Sequence, residues 1–374
     1  MKKILFLTGT RADFGKLKSL ISITQASPLF EVYIFSTGMH MIEKYGKTVN
    51  EIYKSGFKNI FEFSNHDAME RMDINLATTI TGFSNYVADL KPDLIVIHGD
   101  RVEAMAGAIV GSLNNILVAH IEGGELSGTI DELIRHSISK LAHIHLVSND
   151  EAKSRLVQMG ENGENIFTIG SPDLDVMNSD KLPQLEFVKN YYNISFKKYA
   201  ILIFHPVTTE VSELKKQTQI LLESLVQSGE NYLAIFPNND LGSNIILNEY
   251  EKLANNPRFK IFPSLRFEYF LVLLKNCEFI IGNSSSGIRE APYYQTPAIN
   301  LGNRQNNRTN SKHVINLDFD RELIVKSIQN ILTTNTPSKD FDFGDGNSDK
   351  LFYELLKDEN IWKTPHQKQF LDLA

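Results

Sequence analysis

Four carboxylates gather in residues 120–136, HIEGGELSGTIDELIRH, where an apolar run gives way to two glycines: Glu122, Glu125, Asp131 and Glu132. A carboxylate at a strand end can take a proton from carbon or return one, which is general acid–base chemistry. Glu122 directly follows the apolar run, and we expect the missing side chains of Gly123 and Gly124 to let a substrate approach. A turn without catalysis is the alternative role for Glu122.

The local pattern divides these acids further. Thr129 and Glu132 match the S/T-x-x-E capping box, which gives Glu132 a structural role at the start of a helix. Asp131 is a candidate acid or base, and it also has the i,i+4 spacing to pair with Arg135 on a helix surface. The pattern assigns no role to Glu125.

A second candidate site is the stretch GNSSSGIREAP, which follows the apolar run EFII. Small residues let the chain turn closely, and backbone N–H groups and hydroxyls at a helix start favour an anion. Ser284, Ser285 and Gly287 are therefore candidates to cradle a diphosphate, with an ordinary serine helix cap as the alternative. Glu290 either accepts hydrogen bonds from ribose hydroxyls or is a favourable charge near the helix start.

Cationic side chains follow several of the apolar runs. Arg11 and Lys16 lie in GTRADFGK, which lacks the glycine patterns that bind NAD or ATP phosphates. Arg101 in HGDR and Arg304 in GNRQNNR have the same placement. Each of the four is either a fixed cation for a departing diphosphate or a solvated surface charge.

Histidine and cysteine spacing gives no metal site. His205 begins HPVTT and Asn238 begins NND; each either contacts a diphosphate or satisfies its own loop. His143 and His145 are predicted to be structural, and Cys277 to be a buried thiol. We therefore expect neither a metal nor another cofactor.

Short apolar runs alternate with helical patterns along the whole chain, which is typical of an α/β protein with parallel sheets. The first half contains KKILFLTGT, FEVYIFSTG, PDLIVIHGD, ILVAHIEGG, IHLVSND and NIFTIGSP, and the second YAILIFHPV, NYLAIFPNND, FKIFPSL, CEFIIGNSS, PAINLG and HVINLD. The candidate residues follow these runs. Because ligands bind beyond the carboxyl ends of parallel strands, they are expected to gather at the sheet edges.

The length of 374 residues predicts two domains. We place them at residues 1–180 and 181–350, followed by a helical tail, 351–374, whose apolar spacing and Trp362 predict packing on the first domain. The chain has net charge −7, a single cysteine, no long basic run and no apolar run near the roughly 20 residues of a membrane span. These features favour a cytoplasmic protein with a small-molecule partner over one that binds nucleic acid or a membrane.

Taken together and in order, six motifs resemble those of the hydrolysing UDP-N-acetylglucosamine 2-epimerases of sialic-acid biosynthesis and their relatives acting on UDP-diacetamido sugars: GTRADFGK, HGDR, HIEGGELSGTIDELIRH, HPVTT, FPNND and GNSSSGIRE. The resemblance spans nearly the whole chain. It implies two Rossmann-like domains facing a cleft, a glycosyltransferase-B-like arrangement, with the catalytic acids in the first domain and UDP held largely by the second. It also implies a homodimer or a homotetramer.

The resemblance implies a two-stage reaction. UDP leaves C1 and a proton leaves C2 to give a 2-acetamidoglucal, and water then adds with inversion at C2, releasing UDP and N-acetylmannosamine. Asp100, Glu122 and Asp131 match the family's catalytic acids. His205 matches a position that contacts UDP and is counted with them as a catalytic candidate. The alternatives are a hydrolysing 2-epimerase of UDP-N,N'-diacetylbacillosamine for legionaminic acid, a UDP-sugar glycosyltransferase, and a noncatalytic UDP-sugar sensor.

Overall fold

The strands form two separate parallel sheets, one in each of two compact units of the chain. The computed structural model describes residues 1–65, 71–127, 129–179, 182–305, 308, 311–333 and 343–372. Unit 1 comprises Met1–Glu125, Asp131–Ser179 and Phe343–Ala374, and unit 2 comprises Leu126–Ile130 and Asp180–Asp342. The predicted boundary at residue 180 lies outside the described residues.

The sheet of unit 1 has its strands in the order β3-β2-β1-β4-β5-β6-β7, all parallel. In the described chain, β1 to β7 are Lys2–Thr8, Phe30–Ser36, Ile60–Glu62, Leu94–His98, Leu117–Ile121, Ile144–Val147 and Ile166–Thr168. Helices cover both faces of such a sheet, so its central strands are apolar throughout. The side chains of Leu94 to Ile97, for example, are all buried. The strand order reverses between β1 and β4.

The helices of the first part of the chain, α1 to α7, are Arg11–Gln25, Val49–Lys54, Met72–Leu90, Val102–Leu113, Ile130–Leu141, Asp150–Gln158 and Asp173–Met177. Those that follow, α8 to α14, are Leu185–Tyr191, Val211–Ser228, Ser243–Glu251, Phe267–Lys275, Glu290–Tyr293, Arg321–Thr333 and Ser348–Lys357. Short 3₁₀ helices are Gly38–Met41, Glu43–Tyr45, Gly163–Asn165, Ser285–Gly287 and Ile361–Lys363.

The C-terminal segment belongs to unit 1. Phe352 of α14 is fully buried, with its ring edge-on to Phe6 of β1 at 6.2 Å between centroids. The unit resumes at Phe343, earlier than the predicted start at 351, and the Phe343 carbonyl accepts a hydrogen bond from Ser171 N at 2.7 Å. Further along, Lys368 Nζ donates to the carbonyls of Ser139 and Ala142 at 2.8 and 2.6 Å, which holds the tail at the end of α5.

The sheet of unit 2 repeats the strand order of the first six strands of unit 1. Its strands, β8 to β13 among the described residues, are Ala200–Ile203, Tyr232–Ile235, Phe259–Phe262, Ile280–Gly282, Ala298–Leu301 and Val314–Leu317. They run parallel in the order β10-β9-β8-β11-β12-β13, which reverses between β8 and β11. The predicted α/β class, with two Rossmann-like units, is therefore confirmed. All twelve predicted strands form, and β3, whose side chains are mostly exposed, was missed.

No helix in the described ranges has the length and apolar character needed to cross a membrane. The single cysteine, Cys277, is only partly buried, and its thiol lies 3.2 Å from the Leu274 carbonyl. Burial of the sulfur still raises the pKa of the Cys277 thiol above its usual range. The thiol is therefore inert at neutral pH, as the sequence predicts, although the residue is less buried than predicted.

Candidate active site

The ends of β1, β4 and β5 meet where the strand order of unit 1 reverses, which is where a doubly wound sheet binds its ligand. Thr10 follows β1 and caps α1, because its hydroxyl accepts a hydrogen bond from Asp13 N at 3.1 Å. Asp13 Oδ2 in turn accepts from Gly9 N at 3.0 Å. The Asp13 carboxylate is thereby fixed at the start of α1, beside the ends of β4 and β5.

Glu122 is the residue immediately after β5, and its backbone has a left-handed φ of +63°. This conformation is unfavourable for a residue other than glycine, and such strain often occurs at functional positions. Its N–H donates to the Leu146 carbonyl of β6 at 2.9 Å. The side chain is buried, and Oε1 accepts a hydrogen bond from the Ser171 hydroxyl at 2.7 Å. The structure thus fixes this carboxylate at the strand end.

His98, the last residue of β4, lies between two carboxylates. Its Nδ1 is 3.0 Å from Asp13 Oδ1, and its Nε2 is 3.0 Å from Glu122 Oε2. Burial by itself would lower the pKa of His98, but Glu122 and Asp13 outweigh burial and raise the pKa to about 9. The ring is therefore an imidazolium at neutral pH. The sequence reasoning did not single out this residue, although HGDR begins with it.

Lys16 is buried on α1 and faces the same acids. Its Nζ lies 3.0 Å from Asp173 Oδ2 and 3.7 Å from Glu122 Oε1. The hydroxyl of Ser171 is within hydrogen-bonding distance of both carboxylates. Lys16 was predicted as a cation for a departing diphosphate, and in the structure its charge is balanced by these two acids.

Asp100 follows β4 and pairs with a buried arginine. Arg135 of α5 donates from Nη2 to Asp100 Oδ2 and from Nη1 to the Glu125 carbonyl, the latter at 3.3 Å. Arg135 is buried rather than on a helix surface, and it donates to Asp100, while Asp131 also stabilises its positive charge. Asp131 itself lies in the first turn of α5, which begins directly after Thr129 as the capping pattern predicts.

His120 ties the Asp100 loop to its surroundings. Burial lowers the pKa of His120 to about 3, so the ring is neutral. Its Nε2 lies 2.7 Å from the Gly99 carbonyl and its Nδ1 3.1 Å from the Ser139 hydroxyl. Because a carbonyl only accepts, the ring proton is on Nε2, and Nδ1 accepts from Ser139. This neutral ring fixes the residue before Asp100 to β5 and α5.

Gly123 and Gly124 make room for protein atoms. The expectation that their missing side chains let a substrate approach is therefore wrong. A Cβ on Gly123 would lie 2.9 Å from both His120 Nδ1 and Ser139 Oγ. Gly124 has φ +77°, and a Cβ there would lie 2.3 Å from the Ala152 carbonyl oxygen. Both contacts are closer than real side chains allow.

Glu125, which had no predicted role, has a structural one. It is buried, and its Oε1 accepts a hydrogen bond from the Ser148 hydroxyl at 2.7 Å. Glu132 lies 3.8 Å from His136 Nε2 on the same helix. The four acids of residues 120–136 thus occupy four different environments.

The two arginines of unit 1 also contact acids. Arg101 Nε donates to Glu103 Oε2 at 3.1 Å, and Glu103 is buried. Arg11 Nη2 lies 3.7 Å from Glu51 Oε1. These cations are held near the ends of β4 and β1 by carboxylates of their own unit.

Histidines 143 and 145 have structural contacts, as predicted. His143 Nδ1 accepts from Val118 N at 3.1 Å, and His145 Nε2 lies 3.0 Å from the buried Glu161. Within the described ranges, no group of three or more His, Cys, Asp or Glu side chains is arranged to hold a metal ion.

In unit 2, His205 and Asn283 join the ends of β8 and β11 through a reciprocal pair of hydrogen bonds. His205 N donates to Asn283 Oδ1 at 2.7 Å, and Asn283 Nδ2 donates to the His205 carbonyl at 2.9 Å. After β9, Asn238 N donates to His205 Nδ1 at 3.0 Å. Since Nδ1 accepts a proton donor, the neutral ring carries its proton on Nε2. Three strand ends thereby fix one imidazole N–H.

The predicted diphosphate loop forms a 3₁₀ turn after β11, and a short helix follows it. Ser285 and Gly287 are its first and last residues, and Ser284 caps it by accepting from Ser286 N at 3.3 Å. The buried Glu290 then begins the four-residue helix α12. A serine cap thus exists here, as the alternative role proposed.

Arg304, after β12, completes the polar edge of unit 2. Its Nη1 donates to the Asn283 carbonyl at 3.3 Å, and Gln305 Nε2 donates to the same oxygen at 2.9 Å. Ser127, in the segment that belongs to unit 2, donates to the Arg304 carbonyl at 3.4 Å. Asn238, Ser284 and Arg304 therefore all lie at the carboxyl edge of one sheet.

Comparison with known proteins now decides the family. A family model for UDP-N-acetylglucosamine 2-epimerase matches residues 23–357. The chain belongs to this family. It is 48% identical to the UDP-N-acetylglucosamine 2-epimerase of Neisseria meningitidis serogroup B, with 100% of both chains covered.

Two further matches bear on this family assignment. The chain is 35% identical to the UDP-N,N'-diacetylbacillosamine 2-epimerase (hydrolyzing) of Legionella pneumophila, covering 96% of each chain. The crystal structure of the Methanocaldococcus jannaschii UDP-GlcNAc 2-epimerase in complex with UDP-GlcNAc and UDP matches with a TM-score of 0.82 and 22% identity, covering 95% of this chain and 99% of that one. The fold is thus the glycosyltransferase-B-like one of the 2-epimerases, and the protein is an enzyme of the nucleotide-sugar epimerase family.

Proposed function

We propose that this family member is a hydrolysing UDP-N-acetylglucosamine 2-epimerase that releases UDP and N-acetylmannosamine for sialic-acid biosynthesis. The observation that carries the proposal is the Glu122 carboxylate, which is buried at a strand end in a strained backbone and is held beside the imidazolium of His98. A relative whose name includes the word hydrolyzing supports the hydrolytic outcome.

The elimination step requires a base at C2 and a route for the electrons to the leaving group. We assign the base to Glu122, because two neighbouring cations, His98 and Lys16, keep its carboxylate ionised. Glu122 takes the C2 proton, the C2–H electrons form the C1=C2 bond, and the C1–O bond breaks with its electron pair going to UDP. The 2-acetamidoglucal then gains a hydroxyl at C1 and a proton at C2 from water.

We assign the second stage to Asp100 and Asp131. The two carboxylates lie in different settings: Asp100 is held by Arg135, and Asp131 is in the first turn of α5. Delivering a proton to the opposite face of C2 and directing water to C1 need two such groups. A carboxylate fixed by an arginine suits the positioning of water, and the partly exposed Asp131 suits proton exchange with solvent.

We assign UDP to the sheet edge of unit 2. The Nε2 proton of His205 and the hydroxyls of Ser284 and Ser285 are neutral donors suited to diphosphate oxygens. The Gly287 N–H donates to the Ser284 carbonyl, so the role we assign to Gly287 is to let the backbone approach the diphosphate. Asn238 Oδ1 is buried and has no hydrogen-bond partner in the part of the chain that the structure describes, so it can accept from a nucleoside hydroxyl or N–H. Glu290, Arg304, Arg11 and Arg101 remain candidates for further contacts to UDP.

Product analysis tests the proposal. The enzyme is incubated in D₂O with UDP-N-acetylglucosamine and, separately, with its 4-acetamido-4,6-dideoxy analogue, and the products are followed by proton and phosphorus NMR. We expect equal amounts of UDP and N-acetylmannosamine, with deuterium at C2 of the free sugar. Accumulation of UDP-N-acetylmannosamine without net UDP release would refute the hydrolytic assignment.

The same experiment separates the alternatives. Turnover of the analogue alone would assign the diacetamido branch, which the Legionella relative favours. UDP release that appears only when a sugar or alcohol acceptor is added would indicate a glycosyltransferase. Tight UDP-sugar binding without any product would indicate a sensor.

Single amide variants test the acid assignments. Asp100→Asn and Asp131→Asn are each expected to lower kcat by about 10² to 10³ while changing UDP affinity little, since general acid–base groups contribute on this scale. Glu164→Gln, at an exposed position of unit 1, is the matched control. Wild-type kcat in both aspartate variants would refute their roles.

A further inference from the structure

The ring of His98 bridges two carboxylates that come from different parts of the chain. We propose that Asp13, His98 and Glu122 form a buried relay in which His98, itself positioned by Asp13, holds the Glu122 carboxylate in place and keeps it ionised for proton transfer at C2. His98 and Asp13 are then positioning residues. The inference rests on the proposed function, because it specifies how the base of that reaction is prepared.

The two distances favour a ring protonated on both nitrogens. His98 Nδ1 and Asp13 Oδ1 are 3.0 Å apart, as are His98 Nε2 and Glu122 Oε2. A neutral imidazole has one N–H and one lone pair, so at one of these contacts a lone pair would face a carboxylate oxygen. The exposed fractions of the side chains of His98, Asp13 and Glu122 are only 10%, 11% and 4%, so solvent screens the charges weakly.

The other charged groups around the ring favour the same state. From α1, Lys16 Nζ lies 3.7 Å from Glu122 and 3.0 Å from Asp173 of α7. From β5, His120 is neutral because burial lowers its pKa to about 3. Three carboxylates, those of Asp13, Glu122 and Asp173, therefore share two cations, Lys16 and His98. Removing the proton from His98 would leave Lys16 as the one cation among these five side chains.

A relay of this kind predicts a specific pH dependence. Burial lowers the pKa of His98, but Glu122 and Asp13 outweigh burial and raise it to about 9. The ring is therefore protonated below pH 9 and loses a proton as the pH rises through that value. Above it, the two carboxylates lose the positive charge between them, and kcat is expected to fall on the alkaline side.

A purely structural ion cluster would stabilise the fold without affecting the chemical step. The two roles differ in their readouts. A structural role changes the melting temperature and leaves kcat and its pH profile in the folded enzyme as they are. A positioning role lowers kcat and moves or removes the alkaline limb, while KM and UDP affinity stay the same.

The test uses three substitutions in the full chain. His98→Gln keeps an amide N–H that can reach Glu122 but removes the charge, His98→Asn keeps one that reaches only toward Asp13, and Asp13→Asn leaves His98 without its second carboxylate. His366→Gln, at an exposed histidine of the same unit, is the control for the chemical change. Each protein is compared for kcat, KM, UDP affinity by calorimetry, and kcat between pH 6 and pH 10.

We expect His98→Gln to lower kcat by about 10²-fold with KM within about twofold, and His98→Asn to lower it further. The fall in kcat that the wild type shows near pH 9 should disappear in both variants, and Asp13→Asn should move it to lower pH. A cooperative thermal unfolding transition and an unchanged circular dichroism spectrum show that a variant is folded, and unaltered UDP affinity shows that unit 2 is intact. In the wild type, ¹⁵N NMR should show both His98 ring nitrogens protonated at pH 7.

Two results would overturn the relay: wild-type kcat and alkaline limb in folded His98→Gln, or a neutral His98 ring at pH 7. If the wild type releases no UDP from either sugar nucleotide, the proposed function fails instead. The ring titration would then still decide whether the three side chains form the charged relay, because that measurement needs no turnover.

Discussion

The two sheets share one strand order but differ in what their strand ends carry. In unit 1 the ends of β1, β4 and β5 carry charged, buried side chains that neutralise one another, as His98, Glu122 and Lys16 do. In unit 2 the ends of β8 and β11 carry neutral groups, with His205 and Asn283 joined by amide hydrogen bonds, and an arginine, Arg304, follows β12. The fold thus fixes where a site lies, and the side chains decide whether it suits proton transfer or recognition of an anion.

The largest expected effect comes from Glu122→Gln, which removes the proposed base and keeps the shape of the side chain. We expect kcat to fall by about 10³-fold or more, since the amide cannot take a proton. UDP affinity, assigned to unit 2, should stay within about twofold. Turnover is measured by UDP release and affinity by calorimetry. A parallel loss of UDP binding would show that the two regions do not divide their roles.

Glycine substitutions test a second difference between the two units, namely whether a glycine makes room for protein atoms or for a ligand. Gly124→Ala should lower the free energy of unfolding by about 3 kcal/mol, because φ is +77° and the new Cβ meets a carbonyl oxygen. Gly56→Ala is the control: φ is +80° but nothing lies within 4 Å, so about 1 kcal/mol is expected. Equal losses in denaturant unfolding would refute the steric explanation.

In unit 2, Gly287→Ala should weaken UDP binding and leave stability unchanged, in contrast to Gly124→Ala. A Cβ there would meet only ordinary contacts, 3.7 Å from Ala298 and 3.9 Å from Ile280. We expect stability near that of the wild type and, because the backbone is proposed to approach the diphosphate, UDP binding weaker by about fivefold. Unchanged UDP affinity by calorimetry would remove Gly287 from the proposed UDP site.

His205→Asn distinguishes the roles of the two ring nitrogens of His205. The asparagine oxygen can replace Nδ1 as acceptor for Asn238 N, but the Nε2 donor is lost. A hydrogen bond to a charged group contributes about 1.5 kcal/mol or more, so UDP affinity should fall by at least about tenfold. The matched control is His366→Asn in unit 1. Unchanged affinity would show that the ring serves only its own loop.

The smallest effect is expected for Ser284→Ala. Its hydroxyl caps only a single 3₁₀ turn, so the loss of stability should be about 0.5 to 1 kcal/mol. If the hydroxyl also faces the diphosphate, UDP affinity falls by about threefold, measured by calorimetry. A change in kcat at saturating substrate would contradict a role confined to binding.

Much of the fold could be predicted because buried parallel strands are continuous apolar runs. The exception, β3, has three residues that are mostly exposed, so it carries no such signal. The strand-end positions of the candidate residues follow from the same pattern. That rule also located Asp100, two residues beyond β4, and Glu122, directly after β5.

The contacts between these residues could not be predicted. His98 ends an apolar run and is indistinguishable from an ordinary strand residue until its ring is seen between Asp13 and Glu122. Lys16 and Asp173 are far apart in the chain, and only the packed unit brings them to 3.0 Å. The role of Gly124 likewise depends on Ala152, a residue of a later helix.

The C-terminal helix α14 has a consequence for how the protein is made. Phe352 is buried in the same core as Phe6 and Phe30, which belong to the first two strands. During synthesis from the N-terminus, strands β8 to β13 of unit 2 leave the ribosome before α14 does. Unit 2 can therefore fold first. Until α14 docks, the face of unit 1 that it covers leaves aromatic side chains exposed. Variants that slow the docking of α14 should raise the demand for chaperones without altering the purified enzyme.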